Sequence, residues 1–258
     1  MNMDQSSGPE GTDRGPSPDT AQRQVNIAVP PVKPIVTYAL MGVTILIYLL
    51  QQVTQSLMGT DIPVLLGAKI NQYILQGELW RLITPVFLHG SIFHIGFNMY
   101  ALYVIGVGLE RQYGNKRYLL LYFLGGFAGN VFSFMFSSAA AIGASTAIFG
   151  LLGAEGVFIY HNRRFFGNRA RSMLINIVTI AAINLVIGLS PGIDNWGHLG
   201  GLIGGTVFAW LGGPLWDVEG IFPNFHLKDK RSGSQILTAA LTVLIFFGLV
   251  TALRFIQR

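Results

Sequence analysis

The stretch GASTAIFGLLGAEGVFIYH, residues 143–161, decides the fold of this chain. It is an almost unbroken apolar run, and a helix needs about 20 such residues to cross the roughly 30 Å hydrocarbon layer of a membrane. Ala147, Gly150 and Ala154 give the run a face of small side chains, which lets a neighbouring helix approach closely. Ser145 stands near its beginning. The stretch therefore predicts a membrane-spanning helix with a hydroxyl group at one end.

The composition of the whole chain agrees with a membrane protein. Of its 258 residues, 51% are hydrophobic and 11% are charged, whereas about 25% are charged in an ordinary soluble domain. The chain has no Cys, which excludes disulfides, thiolate zinc sites and a cysteine nucleophile. The formal net charge is +5, but the basic residues are dispersed among loops, so we expect no nucleic acid partner.

Seven apolar runs are candidate membrane spans, and none has the polar face of a helix in a soluble protein. They predict an all-α polytopic membrane protein. Because no charged segment with a short apolar run opens the chain, we expect the first span to be an uncleaved anchor. The predicted spans are residues 35–55, 91–109, 117–137, 144–161, 172–189, 197–213 and 236–255.

The distribution of Lys and Arg among the loops predicts the orientation of these spans. Thirteen lie in the N-terminal tail and in the second, fourth and sixth loops, and four lie in the other loops and at the C-terminus. Because cytoplasmic loops carry the excess of basic residues, we expect a cytoplasmic N-terminus and, with seven spans, a C-terminus outside. We expect a bacterial plasma (inner) membrane, since no organelle-type leader precedes the first span.

The segments outside the spans divide the chain into parts. The N-terminal part is rich in Pro, Gly, Ser and Asp, which is typical of a disordered segment. A polar segment that contains Pro and Gly separates the last span from the other six. The predicted parts are a disordered cytoplasmic tail (1–33), a six-helix core (34–213), a linker (214–234) and a seventh transmembrane helix (235–258).

The first loop, residues 56–90, is itself half apolar. Its apolar pieces are too short to span the membrane, so we expect them to lie in the interface as short amphipathic helices. Trp80 and Arg81 are then expected at the level of the lipid headgroups.

Four polar residues from three predicted spans share the outer third of the membrane. Ser145 lies at the outer end of the fourth span, and His198 lies in the first turn of the sixth. His94 and Asn98 lie near the outer end of the second span and, four residues apart, on one face of it. Polar residues within spans indicate function by default. Each of the four alone is also explained by a hydrogen bond to a neighbouring helix or a backbone carbonyl.

The glycines of the sixth span predict a contact between two of these residues. Gly197, Gly201 and Gly205 repeat every four residues, a spacing that lets two helix backbones approach closely. Such an approach brings the imidazole of His198 within reach of the Ser145 hydroxyl. Close packing for its own sake explains the same glycines equally well.

A Ser–His contact predicts nucleophilic catalysis. Neutral His is the usual base that takes the proton of a serine hydroxyl. The backbone N–H of Ser145, at the positive end of its helix, and the side chains of His94 and Asn98 can stabilise an oxyanion. We therefore expect attack by Ser145 with His198 as the base.

Other chemistries fit the sequence less well. His89 and His94 are spaced by five residues and lack the Glu of the zinc motif H-E-x-x-H. An aspartyl mechanism needs two carboxylates in the membrane, and Glu155 is the one acid in the predicted spans. Asp194 lies in a loop, and Glu155 lies about 15 Å deeper than Ser145 along a helix, so we expect a dyad without an acid. No metal and no cofactor are expected.

These residues, in this order and spacing, resemble the rhomboid family of intramembrane serine proteases. The resemblance covers about residues 35–213. It is carried by Trp80-Arg81, His89, His94-x-x-x-Asn98, GLERQYG at 108–114, Gly143-Ala144-Ser145, and His198 followed by glycines that include Gly201.

The resemblance implies a six-helix core whose water-accessible cavity opens to the outside, with the seventh helix lying outside the catalytic set. Ser145 is then the nucleophile and His198 the general base, while His94, Asn98 and the Ser145 N–H form the oxyanion site. Phe149 falls where the family places an aromatic residue that packs on the catalytic histidine. The implied substrates are single-span membrane proteins, which enter laterally from the lipid bilayer and are cut near the outer end of their helix.

One residue departs from the family pattern. Gly usually follows the serine, whereas this chain has Thr146, whose branched side chain is able to crowd the oxyanion site or alter the preferred substrate. The alternative function is therefore a catalytically inactive rhomboid-like protein that binds transmembrane helices without cleaving them. A transporter predicts inverted repeats, and the chain has no internal repeat.

Overall fold

The computed structural model describes residues 27–28, 32–221 and 224–256. Helices make up most of this part of the chain, and three short strands form one small sheet. The helices are α1 (Ile35–Met58), α2 (Ile62–Gly67), α3 (Asn71–Leu75), α4 (Ile92–Tyr113), α5 (Asn115–Phe136), α6 (Ser145–His161), α7 (Arg163–Phe166), α8 (Arg169–Ile187), α9 (Asn195–Gly212) and α10 (Gly233–Ile256). The strands are β1 (Ile27–Ala28), β2 (Trp216–Ile221) and β3 (Asn224–Asp229). The predicted disordered tail lies outside the described residues, apart from 27–28 and 32–33.

Each of the seven predicted spans is a helix. Five of them, α1, α4, α5, α8 and α10, are long and apolar enough to cross a membrane. The other two, α6 and α9, have 17 and 18 residues, and most of the side chains of α6 are buried by the surrounding helices. The structure confirms the predicted class, an all-α polytopic membrane protein.

Helices α5, α6 and α9 meet through their glycines. A Cβ atom added to Gly150 of α6 would lie 2.9 Å from the Cα of Gly125 in α5 and 3.2 Å from the carbonyl oxygen of Gly201 in α9. A second row of glycines on α9, formed by Gly200 and Gly204, faces α5 instead, since a Cβ on Gly200 would lie 2.7 Å from the carbonyl oxygen of Ala128. The absence of side chains at these positions lets three backbones pack in direct contact.

The first loop forms short helical segments, as expected. It contains α2, α3 and two 3-10 turns, at Leu79–Leu82 and Thr84–Phe87. Its backbone also pairs with the loop before α6, because Lys69 and Ala141 exchange two N–H···O hydrogen bonds of 3.0 Å each. The first loop is thereby attached to the segment that leads to Ser145.

Arg81 lies inside the first loop, and its expected position at the level of the lipid headgroups stays a prediction. Its side chain is 3% exposed, and it donates hydrogen bonds to the carbonyl oxygens of Ala68 (2.9 Å) and Leu65 (2.8 Å) and to the carboxylate of Glu78 (2.6 Å). The guanidinium has five N–H donors in a fixed plane, so it can satisfy several carbonyl groups of an irregular loop at once. Trp80, by contrast, is exposed.

Glu110, on α4, joins the starts of α1 and α5 to that helix. From the sequence, Glu155 was expected to be the one carboxylate in the membrane helices, so Glu110 is an addition. Its buried carboxylate accepts hydrogen bonds from the backbone N–H of Val36 (2.8 Å), the backbone N–H of Thr37 (2.7 Å) and the Thr37 hydroxyl (2.7 Å). Asn115 donates to the same carboxylate. The first N–H groups of a helix have no partner within the helix, and Glu110 supplies one for α1.

The predicted linker contains a β-hairpin. β2 pairs with β3 in antiparallel register, and β1 adds to β3 in parallel. The buried side chain of Asn162, at the end of α6, accepts a hydrogen bond from the N–H of Trp216 (2.8 Å) and donates to the carbonyl oxygen of Pro214 (3.0 Å). The hairpin is therefore fixed to the helical core. It leads into α10, which packs on α5 and α9.

Candidate active site

The hydroxyl of Ser145 and the imidazole of His198 are in hydrogen-bond contact. Ser145 Oγ lies 2.9 Å from His198 Nε2. Ser145 is the first residue of α6 and His198 lies in the first turn of α9, so two helix starts bring the pair together. A serine hydroxyl bonded to a ring nitrogen of histidine can lose its proton to that nitrogen as the oxygen attacks a carbonyl carbon.

Thr146, the departure from the family pattern, packs against α5 and α9 and also lines the cavity that Ser145 lines. A Cβ added to Gly129 of α5 would lie 2.6 Å from the Cβ of Thr146, and a Cβ added to Gly197 of α9 would lie 3.0 Å from its methyl group. The side chain therefore occupies the space that Gly129 of α5 and Gly197 of α9 leave between their helices. It is buried there.

Phe149 holds the ring of His198 in place. The two rings are nearly parallel, at 12°, and their centroids are 4.4 Å apart. Phe149 lies one turn after Ser145 on α6, so the helix that presents the hydroxyl also presents the surface on which the imidazole stacks. The stacked ring restricts rotation of the imidazole away from the hydroxyl.

His94 directs a ring N–H towards the turn before Ser145. The backbone N–H of Gly90 donates a hydrogen bond of 3.3 Å to His94 Nδ1. A neutral imidazole carries one proton, and because Nδ1 accepts this bond, the proton is on Nε2. That nitrogen, Nε2, would lie 2.7 Å from a Cβ added to Gly143, and the same Cβ would lie 3.7 Å from Ser145 Oγ. Gly143 has φ of +132°, a conformation that other residues rarely adopt.

Asn98 lies one turn along α4 from His94. Its side-chain amide donates to the carbonyl oxygen of His94 at 2.9 Å and lines the same cavity as Ser145 and His198. The amide has two N–H groups, so one donor is free of this bond.

The first loop holds the turn that precedes Ser145. The N–H of Gly143 donates to the carbonyl oxygen of Pro85 at 2.9 Å, and the N–H of Ala144 donates to Nε2 of the buried His89 at 3.4 Å. Burial, and secondly the proximity of His94, lowers the pKa of His89 to about 3, so His89 is neutral at neutral pH and can accept this bond.

Gln51 of α1 is a residue that the sequence analysis missed. Its amide forms two hydrogen bonds with the backbone of His89, each of 3.1 Å, and donates a third of 2.8 Å to the carboxylate of Asp61. Gln51 is fully buried. A glutamine pair within the apolar run of α1 was the available signal, but the partners of Gln51 lie 10 and 38 residues away in sequence.

The site opens into a cavity of about 400 Å³. Ser145, His198, His94 and Asn98 line it, and so does Asp194. The apolar part of its wall includes Phe97, Ala101, Ile142, Ile148, Ile187 and Ile193. A cavity with an apolar wall and a few converging polar groups is typical of a site for an organic substrate.

No carboxylate among the described residues is hydrogen-bonded to His198. Asp194 caps α9, where its Oδ1 accepts a hydrogen bond of 3.1 Å from the N–H of Gly197. Glu155 lies on α6 almost three turns beyond Ser145. The arrangement is a Ser–His pair whose base is oriented by an aromatic ring.

The remaining predicted site residues surround this pair at a greater distance. Gly201 lies against the carbonyl group of Thr146 and permits the close approach of α9 to α6. Trp80 and Arg81 do not line the cavity of Ser145. Trp80 donates a hydrogen bond of 3.0 Å to the carbonyl oxygen of Leu66, so both residues stabilise the first loop.

The chain is also similar in sequence to known proteins. A family model described as "Rhomboid domain" matches residues 76–215. "Rhomboid protease GluP" of Bacillus subtilis (strain 168) is 41% identical over 219 residues, which are 84% of this chain and 41% of that protein. Two proteins of Arabidopsis thaliana are also similar: "RHOMBOID-like protein 1", 38% identical over 55% of this chain and 36% of its own length, and "RHOMBOID-like protein 5", 35% identical over 68% of this chain and 60% of its own length. The chain thus spans less than two thirds of the length of each of these relatives.

Proposed function

This chain belongs to the rhomboid family of intramembrane proteases, and on that premise we propose that it is a serine endopeptidase with Ser145 as nucleophile and His198 as general base. The proposal is carried by one observation, the 2.9 Å contact between Ser145 Oγ and His198 Nε2. Phe149 on His198 and the capped position of α9 support it, because both orient the base.

The reaction has two stages. Ser145 Oγ attacks the carbonyl carbon of the substrate peptide bond while His198 Nε2 takes its proton. The tetrahedral intermediate collapses when the C–N bond breaks and His198 gives the proton to the leaving amine. Water then attacks the ester of Ser145, His198 takes the proton of that water, and the bond to Oγ breaks with return of the proton to Ser145.

The negative charge of each intermediate is stabilised by N–H groups next to Ser145. The backbone N–H of Ser145 belongs to the first turn of α6, where N–H groups lack partners in the helix and the helix dipole is positive. His94 Nε2–H and the free N–H of Asn98 are the side-chain donors. Such donors are fixed before the reaction, so they stabilise the charge without reorganisation.

The substrate that we propose is a single-span membrane protein, cut near the outer end of its transmembrane helix. Ser145 stands at the end of α6 that the loop charges predict to face outward, and the cavity beside it has an apolar wall that suits a chain arriving from the bilayer. The catalytic unit is the six-helix core, 34–213, and the seventh helix, 235–258, is an addition. We place the protein in the plasma (inner) membrane, with a cytoplasmic N-terminus and the C-terminus outside.

Thr146 does not argue strongly for the inactive alternative. Its side chain packs between α5 and α9, where Gly129 and Gly197 leave room for it. The branched side chain thus has a structural explanation that does not require loss of activity.

Covalent labelling tests the proposal. The full chain in detergent is treated with a fluorophosphonate, which reacts with activated serines, and the modified peptide is mapped by mass spectrometry. We expect an adduct on Ser145 in the wild type, no adduct in Ser145→Ala and a strongly reduced rate in His198→Ala. A folded wild-type protein that gains no adduct would support a helix-binding protein without activity.

A further inference from the structure

A basic groove lies at the end of α6 opposite Ser145. It has a volume of about 750 Å³ and runs from the last turn of α6, past the short helix α7, to the first two turns of α8. α6 has 17 residues, so the groove lies about 25 Å from the proposed active site. The loop that carries it is the most basic of the chain, with four arginines between residues 163 and 171.

Three arginines line the groove, and the charge of one of them is paired with a carboxylate. Arg164 is occupied, because it bonds to the carboxylate of Asp217 at 2.6 Å and to the carbonyl oxygen of Trp216 at 2.5 Å. Arg163 donates one bond, of 3.1 Å, to the carbonyl oxygen of Tyr160, and it lies over the ring of that residue. Arg171 forms no hydrogen bond or ion pair within the described part of the chain. No carboxylate is among the described residues that line the groove.

The wall of the groove changes from charged to apolar along α8. Arg171, Leu174 and Ile175 all line it and, spaced by three and four residues, they follow one face of the helix. Ile175 is exposed, and Ala170 is the one buried residue among Arg169–Ile187. A ligand in this groove therefore contacts cations at one end and an apolar, lipid-facing helix surface at the other.

We propose that this groove binds the phosphate group of an anionic phospholipid. Arg163 and Arg171 bind the phosphate, and the acyl chains follow Leu174 and Ile175 into the bilayer. Guanidinium groups match the geometry of phosphate oxygens, and basic pockets at the cytoplasmic ends of membrane helices bind anionic headgroups. The apolar wall favours a lipid over free phosphate, which needs no such surface.

The test measures lipid binding by the full chain and needs no proteolytic activity, so it is independent of the protease proposal. The protein in a neutral detergent is titrated with phosphatidylglycerol, and bound lipid is counted by native mass spectrometry. We expect Arg163→Gln and Arg171→Gln, tested as single variants, each to lower the affinity roughly fivefold through the loss of hydrogen bonds to the phosphate. The control is Arg169→Gln, which removes the same charge from the same loop at a position that does not line the groove. It is expected to bind like the wild type.

Two further ligands identify the group that is recognised. Diacylglycerol with the same acyl chains should bind at least about tenfold more weakly, because it lacks the phosphate. Inorganic phosphate should not displace the lipid at millimolar concentration. A loss in Arg169→Gln equal to that in each single groove variant would overturn the proposal, since it would show attraction by the charge of the whole loop. Displacement by inorganic phosphate would overturn the assignment to a lipid. An unchanged thermal unfolding midpoint shows that each variant is folded.

Discussion

The Cα of Gly201 lies directly against the carbonyl group of Thr146, so that any side chain at position 201 would overlap the backbone of α6. This approach of two backbones sets the distance between α9, which carries His198, and α6, which begins with Ser145. A backbone cannot move aside as the end of a flexible side chain can. The separation of the proposed base and nucleophile therefore depends on the absence of one methyl group.

Gly201→Ala should separate the two helices. We expect a loss of about 1–3 kcal/mol in the free energy of unfolding and a larger relative loss of proteolytic activity, because the Ser145–His198 hydrogen bond lengthens. Gly248→Ala is the matched control, since nothing lies within 4 Å of a Cβ at that position of α10. Unfolding in detergent and the rate of substrate cleavage check both variants. Wild-type activity in Gly201→Ala would contradict the account.

His94→Ala should lower kcat more than it changes KM. The variant removes an N–H that acts on the intermediate rather than on the bound substrate, and the loss of one such donor lowers kcat by about 10²–10³-fold. His226→Ala is the control, because His226 lies on β3, outside the cavity. Steady-state cleavage of a fluorogenic transmembrane substrate separates the two constants. A rise in KM with an unchanged kcat would assign His94 to substrate binding instead.

Glu110→Ala should destabilise the fold without touching the proposed site. It leaves the N–H groups of Val36 and Thr37 without their partner, and each unsatisfied buried group costs about 1–3 kcal/mol. We expect a total loss of roughly 2–6 kcal/mol in unfolding free energy. Glu219→Ala is the comparison: it breaks an ion pair with Lys228 on the hairpin surface and should cost less than about 1 kcal/mol. Equal costs would show that Glu110 does not join the helices.

Lys69 should make stability depend on pH above neutrality. Its side chain is fully buried and donates to the carbonyl oxygens of Ser137 (3.0 Å) and Ala139 (2.8 Å). Burial lowers the pKa of Lys69 to about 8, against an opposing effect of Asp194. Between pH 8 and about 10.5 the unfolded chain then binds the extra proton, so the free energy of unfolding rises with pH, by up to about 3 kcal/mol.

Comparison with Lys69→Met isolates this effect, because that variant keeps the tyrosines and other groups that titrate at high pH. The unfolding free energy of the wild type minus that of Lys69→Met should increase as the pH rises from 8 to 10. A difference that stays constant over this interval would contradict burial of the charged form.

Much of the fold follows from the lengths of apolar runs, which fix a membrane helix whatever surrounds it. The contact of Ser145 with His198 was predicted for a related reason, because glycines four residues apart leave few other ways for two helices to pack. The orientation of Thr146 was not predictable, since it depends on the space that Gly129 provides from a third helix. In the same way, the buried position of Arg81 depends on loop carbonyl groups whose arrangement exists only in the folded chain.

The hairpin at 216–229 shows a different limit. The residues of its two strands are exposed or half-buried and none is fully buried, so the polar, Pro- and Gly-containing sequence predicts a linker. The bonds that fix it come from Asn162 and Arg164, which belong to another segment of the chain. A pattern within the hairpin itself cannot reveal partners of that kind.

The central claim is that Ser145, activated by His198, cleaves a membrane-embedded peptide bond. The most direct measurement is cleavage of a single-span protein in liposomes by the wild type, Ser145→Ala, His198→Ala and the control Ser234→Ala, whose hydroxyl bonds to Ser232 at the start of α10. We predict cleavage near the outer end of the substrate helix by the wild type and by Ser234→Ala, and none by the other two. Cleavage by Ser145→Ala at the wild-type rate would contradict the account.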